Sequence, residues 1–483
     1  MAEQNTLEKY PQYEATIGIE VHVQLSTKSK IFCSCPNIIS TEPNKNICPI
    51  CAGYPGVLPV LNKQVVHHAI LMGLATHSKI TTTTTFARKH YFYPDLPKNY
   101  QITQDSDPIC TEGFVSIKTK DGHKKIRLTR IHMEEDAGKN IHSTTTNESF
   151  VDLNRCGTPL LEIVTYPDIS SADEARAYLK TLRNIVLHLD IGTGNMEDGA
   201  FRADTNISVR KKGAEKLGTK VELKNINSFK FIADAIEYEI ERQIETLESG
   251  SRIFQETRLW NTHEKKTFSM RAKEEAADYR YFQEPDLPIV EISTDEIESI
   301  KKSIPELPEE KLKRLLKVGL SAYEAQILID DMSLSRYFDE AFEIYQSKNL
   351  INWILRNLIG FIKEQKITLE ECTITPSRLA DLVQLVDKGV INTKVAQEIF
   401  EELGSSAKSP QEIVKEKGLE QIDSDEELKK IAIEIITQNP KLVEQYKGGN
   451  ERLFGFFVGQ AMKATQGKAN PQKINLLFKE LLA

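Results

Sequence analysis

Residues 15–25 read Ala-Thr-Ile-Gly-Ile-Glu-Val-His-Val-Gln-Leu, and this alternation decides the fold class. Ile17, Ile19, Val21 and Val23 fall on one side, and Gly18, Glu20, His22 and Gln24 on the other. A strand turns successive side chains to opposite faces, so the period of two predicts a half-buried strand. Residues 200–210 repeat it less cleanly: Phe201, Ala203, Thr205, Ile207 and Val209 oppose Arg202, Asp204, Asn206 and Ser208. Helices separate these strands. Ser171 with Glu174 reads as a capping box, followed by the stripe Ala175, Tyr178, Leu179, Leu182 and Val186. A second helix starts near Ser228, carries Ile232, Ile236, Ile240, Ile244 and Leu247 on one face, and stops at Gly250. Strands and helices mix without strict βαβ alternation, which predicts an α+β fold for this part.

The chain has 483 residues, too many for one compact core. Prolines at 285, 288, 305 and 308 mark a boundary, and Ser405 to Pro410 a second linker. The expected division is a catalytic domain over 1–292, an all-helical domain over 293–405 and a small helical tail over 406–483. A hydrophobic share of 40% with 27% charged residues is an ordinary soluble balance. The polar start, Met1 to Tyr10, does not read as a secretory signal, and no apolar run approaches the roughly 20 residues that span a bilayer. A net charge of −8 argues against coating nucleic acid by bulk charge, while leaving room for one local RNA-binding patch. Seven cysteines, an odd count over a long chain, speak against a disulfide framework and for a reducing, cytoplasmic setting.

Four of those cysteines form two pairs, Cys33-Ser-Cys35 and Cys48-Pro-Ile-Cys51. Two thiol pairs on a connecting loop can grip one tetrahedral Zn²⁺, and four thiolates leave no open position, so such a zinc is structural. The alternative is four buried, unliganded thiols, because cysteine packs as a small hydrophobe. Cys110, Cys156 and Cys372 read as packing residues.

Acidic residues make a second pattern. Glu20 and His22 stand on the polar side of the first strand. His132-Met-Glu134-Glu135-Asp136 places three carboxylates in a row before Gly138-Lys139, and Glu162 interrupts the apolar run Leu160 to Val164. Glu197, Asp198 and Asp204 flank Arg202. Such carboxylates repel or need partners unless a cation neutralises them. Their chemistry suits Mg²⁺ entering with nucleotide phosphates, which Arg202, Arg155 or Lys139 could offset. The strand phase stays open at Glu134 and Glu135, because the apolar alternation slips between Leu128 and Ile131. No Gly-x-x-x-x-Gly-Lys-Ser/Thr loop and no Gly-x-Gly-x-x-Gly occurs. Residue chemistry alone therefore ends at a metal–carboxylate site for phosphoryl transfer.

Several blocks carry a resemblance. They are Ile17 to Gln24, Ala52 to Pro59, Arg88-Lys-His-Tyr-Phe-Tyr-Pro-Asp95, His132 to Lys139, Val151-Asp-Leu-Asn-Arg155 and Gly157 to Leu160, with Val221-Glu-Leu-Lys-Asn-Ile-Asn-Ser228 and Asp278-Tyr-Arg-Tyr-Phe282. With Gly455 to Gln460 and Gly467 to Pro471, they resemble the signature blocks of the B subunits of the tRNA-dependent amidotransferases. The resemblance runs from about residue 14 to the end. It implies a cradle-shaped α+β catalytic domain similar to glutamine synthetase, then a helical domain and a helical tail. It also implies that ATP phosphorylates the side-chain carboxylate of Glu-tRNA(Gln) or Asp-tRNA(Asn). Ammonia from an amidase partner then displaces phosphate. The implied partners are the amidase, or A, subunit and the small C subunit of a heterotrimer, and the charged tRNA. Carried over by motif position, Glu20, His22, Glu135, Glu162 and Asp204 form the Mg²⁺ site. Glu134 and Arg202 are its neighbours, Lys139 and Arg155 stand toward the nucleotide, and Lys89 lies on the ammonia route. His22 is an unusual Mg²⁺ ligand and could instead stand behind one. Some family members have the four thiols and others lack them; this chain has all four.

The tail from Tyr446 carries Lys447, Arg452, Lys463, Lys468, Lys473 and Lys479 against Glu451 and Glu480, six positive minus two negative. Phe454, Phe456 and Phe457 interleave with glycine there, either as core or as an RNA-stacking surface. Two readings of a different class compete with the enzyme: a zinc-bearing, non-catalytic tRNA scaffold and a free-standing amide ligase. Two outcomes are expected. Elemental analysis of the reduced, purified protein finds one zinc per chain, and its absence ends the zinc reading. Deleting residues from about 406 onward weakens tRNA binding at moderate salt while the N-terminal domain stays folded, and unchanged affinity refutes the RNA reading of the tail.

Overall fold

The computed structural model describes residues 6–143, 145–272, 278–419, 424–465 and 469–482. The described chain forms two compact units, Met1–Lys311 and Leu312–Ala483.

A ten-stranded sheet organises the first unit. Its centre consists of β1 (Tyr13–Gln24), β2 (Gly122–Glu135), β3 (Pro159–Thr165), β4 (Phe201–Lys211) and β5 (Val221–Lys224). They lie in the order β5-β4-β1-β3-β2, each antiparallel to its neighbour. The alternation read from the sequence is the alternation of burial: along β1 every second residue, from Tyr13 to Val23, is buried. That face packs on three helices, α1 (Lys63–Ala75), α2 (Ala172–His188) and α3 (Phe229–Glu248). Ile17, Ile19, Val21 and Val23 share one core with Ile70 of α1, Tyr178 and Leu182 of α2, and Ile236 and Ile240 of α3. Each such side chain contributes about 1.5–3 kcal/mol of burial, which fixes which face of the sheet turns inward. The opposite face carries mainly polar residues.

Local signals explain the helix ends. Ser171 accepts the Glu174 N–H at 3.2 Å, as the expected cap requires. The reciprocal arm goes elsewhere: the Glu174 carboxylate takes Ser170 N–H at 2.8 Å and the Lys124 ammonium at 2.8 Å, so the box is half formed. The α3 helix ends before Gly250, whose φ of +76° only glycine adopts without strain.

A three-stranded sheet, Phe282–Gln283, Ala87–His90 and Tyr100–Thr103, stands beside the large one. Arg88 locks it with a two-pronged contact to Glu284, Nε and Nη2 each 2.8 Å from a carboxylate oxygen, and reaches Asp286 at 3.1 Å.

The domain boundaries expected at 292 and 405 both fall inside packed structure. Leu287, Ile292 and Ile300 belong to the first core, so the prolines there punctuate loops within one unit. Beyond Lys311 a helical core from Leu315 to Val414 includes Phe338, Trp353 and Phe400, and it takes in Ile413 and Val414 past the second expected boundary. A separate core joins Leu428, Phe457, Ile474 and Phe478. Phe457 is fully buried there, and Phe454 and Phe456 pack against it, which is the core reading of those rings. Lys447, Arg452, Lys463 and Lys479 are exposed, Lys473 pairs with Asp425 at 3.0 Å, and Lys468 lies outside the described residues.

One histidine in the first unit gives the fold a titratable weak point. His68 on α1 is 6% exposed and its Nδ1 has no hydrogen-bond partner. Burial, helped by His67, lowers its pKa to about 4. Above its unfolded value near 6.5 the group costs nothing. As pH falls from about 6.5 to 4 only the unfolded chain gains the proton, so stability drops by up to about 3 kcal/mol. His68→Gln is expected to remove most of this acid sensitivity, read as a flatter dependence of the thermal midpoint on pH over that window; an unchanged slope rules out His68 as its source.

Candidate active site

The polar face of the sheet builds the site one rung at a time. Arg202, His22, Glu162 and His132 face each other across β4, β1, β3 and β2. On the next rung of that face come Gln24, Leu160 and Glu134, and on the other side Asp204, Glu20, Val164 and Arg130. Residues paired across strands sit about 5 Å apart, so segments separated by more than a hundred residues meet here because of the register.

At the centre His22 Nε2 lies 3.3 Å from Glu134 Oε1 and 3.3 Å from Glu162 Oε2. His132 Nε2 lies 3.4 Å from the same Glu162 oxygen and 3.7 Å from Glu134 Oε2. Glu134 is 2% exposed and Glu162 8%. Burial works against the His22 imidazolium, yet the hydrogen bonds that both glutamate carboxylates accept from it outweigh that and raise its pKa to about 10. Burial alone would push both carboxyls up, but the two imidazoles hold Glu134 and Glu162 below the ordinary glutamate range. Two buried carboxylates this close need positive charge between them. Protons on the imidazoles supply it here, and a divalent cation can take their place, since one donor atom each from His22, Glu134 and Glu162 lies within 4.8 Å of the others. His132 Nδ1 remains without a partner.

A second group adjoins the first. Lys224 lies 2.7 Å from Asp204 and 3.1 Å from Glu222, and their carboxylates raise its pKa against the cost of burial. Asn206 donates to Glu20 at 3.0 Å. Burial, then Glu162, pushes the Glu20 carboxyl up, while Lys224 pulls it back. Toward the other side Asp136, 5% exposed, gathers Arg202 at 3.3 Å, Arg155 at 3.5 Å and the Gln24 amide at 3.0 Å. Arg202 Nε is buried without a partner. The three-stranded sheet brings Lys89, half-buried, over the Tyr279 ring at 4.8 Å; the Glu134 field raises its pKa despite burial. All of these except Gln24 line one open cleft of roughly 1080 Å³, larger than a pocket for a single small ligand.

Of the residues expected from sequence, Glu20, His22, Glu162, Asp204, Arg202, Glu134, Lys89, Lys139 and Arg155 line this cleft. Glu135 does not. It points to the opposite face, where Lys98 and the Ile102 N–H hold its carboxylate, and Glu134 occupies the place foreseen for it. Pleating allows only one of two adjacent residues on a face, and a register shift decides which: Val164 pairs with Arg130 but Thr165 with Leu128. Sequence reasoning counts Asp136 only as the third of three carboxylates in a row and gives no role to His132, Glu222 or Lys224, although Glu222 and Lys224 share the two-residue period that points to Glu20 and His22.

Away from the cleft, the sulfurs of Cys33, Cys35, Cys48 and Cys51 all lie within 4.8 Å of one another. Cys48 and Cys51 Sγ are 3.8 Å apart. Zinc–sulfur bonds of about 2.3 Å set tetrahedral sulfur–sulfur edges of roughly 3.8 Å, so the spacing fits a four-thiolate metal site. The Cys33 thiol, with the Cys48 N–H and Lys30, lowers the Cys51 pKa against burial. Lys30 itself is 1% exposed, with its ammonium 3.8 Å from Cys51 Sγ. A buried ammonium needs an anion, and thiolates provide one where neutral thiols would not.

Comparison with known proteins gives the family. Residues 15–298 match the family model of the GatB/GatE catalytic domain, and residues 336–482 that of the GatB domain. The chain is 51% identical over 474 residues to the B subunit of the aspartyl/glutamyl-tRNA(Asn/Gln) amidotransferase of Persephonella marina, covering 98% of this chain and 100% of that one. It is 50% identical to the protein of that name from Thermodesulfovibrio yellowstonii, covering 97% and 99%. For the counterpart of that name from Myxococcus xanthus the identity is 47%, covering 97% and 98%. The chain belongs to the family of B subunits of the aspartyl/glutamyl-tRNA(Asn/Gln) amidotransferases.

Proposed function

We propose that this chain uses ATP to activate the side-chain carboxylate of Glu-tRNA(Gln), Asp-tRNA(Asn) or both, and forms the amide with ammonia supplied by an amidase partner. The observation that carries the proposal is the buried Glu134, Glu162 and His22 cluster on the floor of a cleft walled by Arg202, Arg155 and Lys89. A carboxylate is a poor electrophile. One of its oxygens attacks the γ-phosphorus of ATP, ADP departs, and the acyl phosphate offers a good leaving group. Ammonia then adds to the acyl carbon, phosphate leaves and nitrogen gives up a proton.

In this reading Glu134, Glu162 and His22 hold Mg²⁺, with Glu20 and Asp204 beside them. When bound, the ion offsets the repulsion between ATP and the second anion. The chain's own residues do the rest. Asp136 ties down one side of Arg202 and of Arg155, and the exposed part of the Arg202 guanidinium is left to meet phosphate oxygens. Exposed Lys139 adds positive charge at the rim. Lys224, held between Asp204 and Glu222, keeps those acids from repelling the incoming anions. Lys89, beside Tyr279, Tyr281 and Tyr91, stands on the route assigned to ammonia. Holding the two substrates in one cleft supplies orientation, a large gain for a two-substrate transfer.

Several parts of the proposal are family-level. The sheet with helices on one face is taken as a cradle similar to glutamine synthetase. The partners are the amidase, or A, subunit and the small C subunit, the setting is the cytoplasm, and the four thiols carry a structural Zn²⁺. The exposed lysines and Arg452 of the last helical core are assigned to tRNA. Among the described residues no helix is long and apolar enough to cross a membrane.

Glu134→Gln and Asp204→Asn are expected to lower ATP-dependent amide formation by about a hundredfold or more, with tRNA binding retained. The assay holds the chain, its amidase partner, ATP and Glu-tRNA. Wild-type rates in both variants would favour a non-catalytic scaffold.

A further inference from the structure

The back of the catalytic sheet carries a charged pair that the proposed chemistry does not use. Glu135 follows Glu134 in β2 but faces away from the cleft and is 4% exposed. Its carboxylate takes the Lys98 ammonium in a short ion pair and the Ile102 N–H at 2.9 Å. Its backbone carbonyl takes the Gln101 side-chain amide at 2.7 Å. The same stretch runs on to Thr103, whose hydroxyl lies 3.3 Å from Glu134 Oε2 on the cleft side. Residues 98–103 therefore grip both glutamates, one on each face of the strand.

The thiol loop in turn backs Lys98. Gly53, with φ of +70°, lies so near that a Cβ there would come within 2.7 Å of Lys98 Cγ and 3.1 Å of its backbone nitrogen. Cys33, Cys51, Lys98 and Glu135 wall the same cavity of about 20 Å³, room for about one water. Adjacent strand residues share a peptide unit, so fixing Glu135 limits how far Glu134 can swing. Removing one partner leaves a buried charge that must turn or neutralise, and the shared backbone moves with it.

We infer that Lys98 and Glu135 are positioning residues that aim Glu134 into its cluster with His22 and Glu162, and that the four-thiol loop supports them through Gly53. This rests on the reading of Glu134 as a metal carboxylate. Groups that orient a ligand without touching the metal commonly change affinity by about 10–100-fold.

The test is binding of Mn²⁺ alone to the full chain, followed by electron paramagnetic resonance without ATP or tRNA. Lys98→Met, Glu135→Gln and Gly53→Ala are each expected to weaken Mn²⁺ binding by about tenfold or more, and Lys98→Arg to stay within about threefold of wild type. Glu135→Gln keeps its shape, so the decision does not hang on whether Lys98→Met folds. Wild-type affinity in Glu135→Gln or Gly53→Ala overturns the inference while a loss in Glu134→Gln leaves the site standing. Undiminished binding in Glu134→Gln overturns both.

Discussion

Everything in the catalytic unit depends on two buried carboxylates, Glu134 and Glu162, being held together on adjacent rungs of one sheet face. Left alone, they would drive each other toward protonation or push the strands apart. Two imidazoles prevent this, and the same arrangement sets up a demand for positive charge that a divalent ion can meet. The sheet can bear that cost because its other face is a continuous apolar core against three helices. Stability is gained on one side and put to use on the other.

Much of this was legible in the sequence because a strand has a period of two. Once Ile17, Ile19, Val21 and Val23 were assigned to the core, Glu20 and His22 had to share the opposite face, and the same logic placed Arg202 with Asp204. The logic failed at Glu134 and Glu135. Leu128 and Ile131 are both fully buried although three residues apart, an odd spacing that simple alternation forbids. The register shift at Thr129 absorbs the extra residue and resets the phase, and it is a pairing event that single-strand periodicity does not encode. Asp136 carried no distinct signal because its role appears only when Arg155 and Arg202 arrive from two other segments.

Domain limits were harder to read for a related reason. Proline clusters mark where the chain turns, not where a core ends. Leu287 and Ile292 bury themselves in the first core despite their neighbours, and Ile413 and Val414 do so in the second. The four thiols were easier, since two short pairs on one loop restrict where the sulfurs can go. What no spacing could suggest is the buried Lys30 beside Cys51, which comes from the strand-proximal end of that loop and supplies the counter-charge.

The fork by which Arg88 holds Glu284 and Asp286 has a bearing on biosynthesis. The aromatic wall around Lys89 combines Tyr91 with Tyr279 and Tyr281, so it draws on chain made early and on chain made nearly two hundred residues later. During translation, a nascent polypeptide that has emerged through residue 272 already owns the whole central sheet yet lacks the Tyr279 and Tyr281 part of this wall. The cleft is finished only when the segment around Glu284 leaves the ribosome and Arg88 captures it, which keeps an unfinished chain from presenting a complete pocket.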